Sequence, residues 1–293
     1  MNPPAPIRDG LLDGVSVARA VRASLRDHVS REMPDDSPGL AVVLLTADLA
    51  ARKYAESKAR ACRDLGMTCT LHDLTPWVSN MRALGKRLES IASDPRVHGL
   101  LIEHPLPPHV DPIALYAHVP TAKDVEGISY ANMGRLMLGR PYMVASTAAA
   151  VIRILEHYGV QIAGRRVVVV GRSNIVGKPV AALLLARDAT VVTCHSKTPD
   201  LATETLRADI LVVSVGRARF IGATHVREGA VVVDVGINFE GGRMVGDVDF
   251  EAVRGKVLAI TPVPGGVGPV TAAMLLSNLV QTALAQKRGS ETL

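Results

Sequence analysis

Arg166-Val167-Val168-Val169-Val170-Gly171-Arg172-Ser173-Asn174-Ile175-Val176-Gly177-Lys178-Pro179 is the stretch on which the fold turns. Its β-branched run favours extended backbone. The lack of polar alternation marks a strand covered on both faces of a parallel sheet. Gly171 ends the run, and Val176 to Arg187 reads as a helix. A strand, a glycine turn and a helix start leave backbone N–H groups where the helix dipole attracts a pyrophosphate. The spacing is not GxGxxG, so the same residues also fit a tight βα turn without a ligand.

Working outward, Ala189–Cys194 reads as the next strand and runs into His195-Ser196-Lys197-Thr198. An acidic residue near this strand end selects NAD by binding its ribose hydroxyls, and none is present. Arg172, Ser196 and Lys197 instead suit a 2′-phosphate, which favours NADP; ordinary solvated loop residues are the other reading. Further strands are expected at Ile210–Val215, Ala230–Val235 and Val257–Ile260. The expected unit is a doubly wound α/β domain from about Arg153 to Thr261.

Before it, strands are expected at Leu40–Leu45, Met67–Leu71 and Gly99–Ile102, with helices at Ala50–Leu65 and Met81–Ile91. Tyr54, Lys58 and Cys62 are spaced four apart and share one helix face. A ring beside an ammonium can hold a flat ligand against a proton donor or base; from this pair alone, a surface tyrosine packed on a lysine stem is the stronger reading. The strand Gly99–Ile102 ends at Glu103-His104, where ligands sit in open parallel sheets, unless this is a solvated loop. Asp124 offers a bidentate carboxylate to an amino-heterocycle or caps a turn. The Gly/Pro loop Thr261 to Thr271 either approaches a ligand closely or makes a rigid turn, and a last helix is expected over Thr271–Lys287.

Composition narrows the function. The chain has 293 residues, 48% hydrophobic and 21% charged, which is globular. With 5 Tyr, 3 Phe and 1 Trp there is little surface for stacking single-stranded nucleic acid. A net charge of +5 suits acidic small molecules, and no basic block is dense enough for DNA or RNA. No apolar run is expected to reach a membrane span of roughly 18–20 residues. Three cysteines without CxxC pairing and a start without a signal pattern point to the cytoplasm. The histidines lack HxxxH or HExxH spacing, so no metal is expected.

Together these segments resemble the bifunctional methylenetetrahydrofolate dehydrogenase/methenyltetrahydrofolate cyclohydrolase family. The resemblance is carried by Tyr54-x-x-x-Lys58-x-x-Ala61-Cys62, Lys123-Asp124-Val125, Gly171 through Pro179, Asp234 through Asn238, Gly246-Asp247-Val248 and Pro262 through Pro269. It implies a two-domain α/β enzyme: residues 1–145 plus 271–293 as the folate-side catalytic domain, residues 146–270 as the NADP-binding Rossmann-like domain, a cleft between them, and a homodimer. By resemblance Tyr54 stacks on the folate, Lys58 is catalytic and Asp124 holds the pterin. Pro264, Gly265 and Gly266 line the folate site. Gly171, Arg172, Ser173, Ile175, Ser196, Lys197, Gly216 and Ile237 face NADP.

The departures lie on the folate side. Glu103-His104-Pro105-Leu106-Pro107 stands where the family reads Gln-Leu-Pro-Leu-Pro. Ala145-Ser146-Thr147-Ala148 replaces Pro-Cys-Thr-Pro, Glu126 replaces Asp, and Ile128-Ser129-Tyr130 replaces a Phe-His-Pro-like run. They suggest a specialised relative, with an altered folate-like or imine substrate or a non-catalytic binding role as alternatives. Glu103 carries the sharpest consequence. A carboxylate beside Lys58 favours the charged ammonium, which is a poor base. Hydride transfer is therefore expected to survive while hydrolysis weakens.

Overall fold

The computed structural model describes residues 4–34 and 36–289. It divides into two compact units: Val21–Val144 with Leu275–Leu293, and Met1–Ala20 with Ala145–Met274.

After helix α1 (Gly14–Glu32), the first unit alternates β1 (Gly39–Leu44), α2 (Leu49–Arg63), β2 (Thr68–Asp73), α3 (Met81–Ser93) and β3 (Gly99–Ile102), followed by α4 (Pro112–Tyr116) and α5 (Tyr130–Met137). The three strands are parallel in the order β2-β1-β3. Local chemistry sets the helix ends. Asp48 caps α2 by accepting from Ala50 N at 2.8 Å, and Asn80 caps α3 by accepting from Ala83 N at 3.0 Å. Gly66, at φ +74°, closes the turn after α2, where a side chain would be strained. Val43, Leu84, Leu88, Leu100, Ile102 and Leu115 pack the core beneath α3 and α4.

The second unit runs α6 (Ser146–His157), β4 (Arg166–Val170), α7 (Gly177–Leu185), β5 (Thr190–Cys194), α8 (Leu201–Thr205), β6 (Ile210–Val213), β7 (Val231–Asp234), a hairpin of β8 (Asn238–Glu240) and β9 (Arg243–Val245), α9 (Phe250–Val253) and β10 (Ala259–Ile260), and α10 (Val267–Lys287) starts in it and continues from Leu275 in the first unit. Its five-stranded sheet is parallel in the order β10-β7-β6-β4-β5. The valines of β4 are buried, as their lack of alternation predicts.

Two sequence expectations need correction. Residues 4–20 group with the second unit, because Leu12 N donates to Ile260 O (3.0 Å) and Ile260 N to Gly10 O (2.9 Å). The segment thereby extends the pairing of β10. The final helix begins at Val267 rather than Thr271, and its 21 residues are long and apolar enough to cross a membrane. More than half of that apolar stretch is buried in the protein. Its polar groups also bond inside the fold: Asn278 donates to Val125 O and Val144 O, and Gln286 donates to His98 O and Ala122 O. These are the traits of a core helix.

Candidate functional site

In the first unit α2 presents Tyr54 and Lys58 one turn apart, while β3 delivers Glu103 at its carboxyl end. Lys58 Nζ donates to both oxygens of Glu103, at 2.8 and 2.7 Å. The glutamate side chain is 8% exposed and the lysine 24%, so solvent screens the pair only in part. The ammonium lies 6.0 Å from the Tyr54 ring centroid. Tyr54 itself is 48% exposed, an open aromatic face beside a fixed charge. Cys62, the third member of the stripe, is buried, and its contact with Cys69 together with burial pushes its thiol up. It belongs to the packing. His104 is half-buried with an unpartnered Nε2. Burial first, then the Lys58 charge, lowers its pKa, so the ring is neutral at pH 7.

Asp124 is not the pterin-facing carboxylate expected from the sequence. It is fully buried. Its Oδ1 accepts from Glu126 N (3.2 Å) and Gly127 N (2.9 Å), and its Oδ2 from Ser129 N and Asn132 Nδ2 (both 2.8 Å). A carboxylate with its oxygens so occupied builds the turn and has nothing left for a ligand. Glu126, two residues on, is held differently. Its Oε2 accepts from the Tyr116 hydroxyl and from Ile102 N at 3.4 Å. Burial pushes its pKa up to about 8 against the opposing hydrogen bond from Tyr116.

The second unit carries the nucleotide motif. Gly171 has φ +127°, and a Cβ there would lie 2.3 Å from Ser214 O. A Cβ on Gly177 would lie 2.3 Å from Gly171 O. Both glycines are thus required for β4 to turn tightly into α7. Ser173 Oγ accepts from Val176 N and Gly177 N (3.2 and 3.4 Å). Among the described residues, the N–H groups of Arg172 through Ile175 donate to no protein acceptor. This is a cradle suited to a pyrophosphate. Arg172, Ser196 and Lys197 are exposed, and neither cation appears in an ion pair among the described residues. Ile175 and Ile237 are exposed apolar side chains of the same unit.

Asp234 and Asp247 explain the distant DVGIN and GDV strings. Asp247 accepts from the amides of Val215, Gly216 and Arg217 and from Asn238 Nδ2. Asp234 accepts from the amides of Gly236, Asp247 and Val248, and burial pushes its pKa up to about 6. A Cβ on Gly246 would sit 1.8 Å from Asp234 Oδ2. These residues fix the loops that carry Gly216 and Ile237. In the Pro264-Gly265-Gly266 loop, Gly265 has φ +102°, and a Cβ on Gly266 would meet Pro262 O at 2.4 Å. The loop's shape therefore depends on both glycines.

Residues 12–126 match the family described as tetrahydrofolate dehydrogenase/cyclohydrolase, catalytic domain, and residues 145–287 match its NAD(P)-binding domain. The chain is 48% identical over 274 residues to the bifunctional protein FolD of Parafrankia sp., covering 93% of this chain and 98% of that one. Among solved structures it is similar to the bifunctional FolD methylenetetrahydrofolate dehydrogenase/cyclohydrolase of Campylobacter jejuni, at a TM-score of 0.90 and 38% identity over 95% and 99% of the two chains. It is also similar to the Trypanosoma brucei enzyme complexed with NADP cofactor and inhibitor, at a TM-score of 0.87 and 34% identity over 99% and 100%.

Proposed function

Because this chain belongs to the tetrahydrofolate dehydrogenase/cyclohydrolase family, we propose that it oxidises methylenetetrahydrofolate with NADP and hydrolyses the methenyl product only slowly. The observation that carries this reading is the paired contact of Lys58 with Glu103. An ammonium held by both oxygens of a carboxylate is less free to leave the pair and engage the water that hydrolysis requires. Hydride loss from a methylene carbon needs no base; it needs the donor carbon held at near-attack distance, worth up to about 7–11 kcal/mol in favourable cases.

The two halves divide the work. Tyr54 offers its open face to the pterin, and Glu126 takes the pterin-facing role that Asp124 cannot fill. Pro264, Gly265 and Gly266 support the folate. The free amides of the Gly171–Gly177 turn fit a pyrophosphate, and Arg172, Ser196 and Lys197 fit a 2′-phosphate. When bound there, NADP supplies the hydride acceptor. Gly216, Ile175 and Ile237 line its path. A non-catalytic binding role is not favoured, since the identity extends over both domains and Lys58 is retained.

The chain acts in the cytoplasm as a homodimer in this reading. The outer edge of β2 is unpaired and largely exposed, and a second copy is a suitable cover for such an edge. Sedimentation at micromolar concentration tests the dimer. The decisive functional experiment follows NADPH formation from methylenetetrahydrofolate and NADP. Rapid NADPH formation with slow loss of methenyltetrahydrofolate is expected; no NADPH formation would overturn the reading.

A further inference from the structure

Strand β2 runs back along α2 and meets it with alternate residues. Near the start of the helix, Arg52 Nη2 donates to Asp73 Oδ2 at 2.7 Å. Near its end, the thiols of Cys62 and Cys69 share a hydrogen bond. Cys69 and Asp73 are four residues apart in one strand and so point to the same face. Only residues 64–67 separate α2 from β2, and Met67 N closes that turn by donating to Cys62 O at 2.9 Å. The sheet register holds Cys69 in place, beside Leu40 of β1. Neither thiol takes part in the chemistry described above, and neither is in a disulfide.

We propose that Cys69 and Cys62 form a reversible, peroxide-driven disulfide that acts on the last turn of the helix carrying Tyr54 and Lys58. Cys69 is partly exposed and Cys62 is fully buried, so peroxide reaches Cys69 first. The Cys69 thiolate attacks one peroxide oxygen. The O–O bond breaks, and the released hydroxide takes a proton from solvent to become water. The sulfur, oxidised by two electrons, is then a sulfenic acid. The Cys62 sulfur attacks it, the S–O bond breaks, and the second hydroxide leaves as water with the Cys62 proton. Two thiols and one peroxide give one disulfide and two waters. A reducing dithiol reverses the bond by exchange.

The surroundings fit this order of events. The hydrogen bond from Cys62 lowers Cys69 most, and the charges of Arg63 and Lys58 add to it against burial. That favours the thiolate, which is the attacking form. Cys62 is raised first by Cys69 and then by burial. Oxidation of Cys69 removes its negative charge, and with it the chief brake on Cys62. The helix itself makes the link to the site. Cys62 lies one turn beyond Lys58, whose ammonium is located by contacts of 2.8 and 2.7 Å to Glu103. Bond formation draws the sulfurs from contact to about 2.05 Å. Strand β2 is paired with β1 along six residues, so the last turn of α2 takes up the movement and Lys58 shifts with it. A misplacement of about 1 Å can cost roughly 100-fold in rate. This consequence rests on the catalytic place given to Lys58 above; the disulfide itself does not.

The experiment treats the full chain with a small excess of hydrogen peroxide, as the parent and as Cys69→Ser. In the parent the count of free thiols is expected to fall from three to one. Trypsin should then release Ala61-Cys62-Arg63 joined to the peptide from Asp64 to Arg82, with Cys194 still open to alkylation after unfolding. NADPH formation should fall by about 10–100-fold and return with dithiothreitol. Cys69→Ser, changed at a partly exposed position, should show parental activity before peroxide and keep it afterwards. A parent that retains three thiols, or whose lost thiols are not in the joined peptides, overturns the proposal. So does a joined parent with full activity, or equal inactivation of Cys69→Ser. An untreated parent that forms no NADPH overturns the folate reading instead, while the thiol count and the joined peptides still decide the disulfide.

Discussion

Replacing Glu103 by glutamine tests how strongly one carboxylate governs the balance of two reactions. The parent pair has N–O separations of 2.8 and 2.7 Å, with the glutamate side chain 8% exposed. Glutamine keeps the shape and one acceptor oxygen but removes the charge. A charge-assisted hydrogen bond contributes about 1.5–3 kcal/mol, against about 0.5–1.5 kcal/mol for a neutral one. The lost difference is thus roughly 1–2 kcal/mol, a factor of about 5–30 in the freedom of Lys58 to leave the pair. Hydrolysis in Glu103→Gln is expected to rise by about that factor. Oxidation, which asks no base of Lys58, is expected to change by less than about threefold. Both rates are read by absorbance, NADPH appearance for one and methenyltetrahydrofolate loss for the other. Vigorous hydrolysis in the parent, left unchanged by the substitution, would show that the ion pair does not control the lysine.

Other perturbations probe the remaining assignments. Arg172→Ala is expected to weaken NADP by roughly 10–100-fold, the worth of one charge-assisted contact, with little effect on NAD; equal affinity of the parent for both nucleotides would remove the basis for this. Asp124→Ala strips the acceptor from three backbone amides and Asn132, and at about 1–3 kcal/mol for each buried donor the urea midpoint should drop sharply. A mutant of parental stability that had lost only folate binding would restore the ligand role of Asp124. Tyr54→Ala should raise KM for the folate roughly 3–10-fold, an aromatic contact of about 0.5–1.5 kcal/mol, with the unfolding midpoint unmoved. For Glu126 the folded pKa of about 8 lies above the ordinary carboxyl value of 4.5. The folded state therefore holds the proton longer, and this group's contribution to stability declines as pH rises from 4.5 to 8. Glu126→Gln should accordingly gain stability relative to the parent across that window, measured by urea denaturation at several pH values; a flat difference would place the titration elsewhere.

The nucleotide half was the more legible of the two. A strand buried on both faces must be continuously apolar, so Val167 through Val170 announced themselves, and a backbone with φ +127° at Gly171 leaves glycine as the natural occupant. The expected strands recur in the structure with ends moved by a few residues, as fraying and cap geometry dictate. The folate half was harder. Tyr54, Lys58 and Glu103 came from spacing and strand ends, and the contact of Lys58 with Glu103 is present. Asp124 and Glu126 are two residues apart in one turn, and no periodicity tells which carboxylate turns inward.

Local patterns determined the alternation of strands and helices, the glycine turn and the absence of an acidic residue after β5, because each depends on neighbours within a few positions. Tertiary structure decided what depends on partners far along the chain. The amides of Gly127, Ser129 and the Asn132 side chain claim Asp124. Tyr116 and Ile102 hold one oxygen of Glu126. Asp234 and Asp247 lock loops more than ten residues away. Residues 10–12 add themselves to a strand near position 260. A carboxylate's chemistry is set by how many of its oxygens are already engaged and how much water reaches it. Neither quantity exists until the chain has folded.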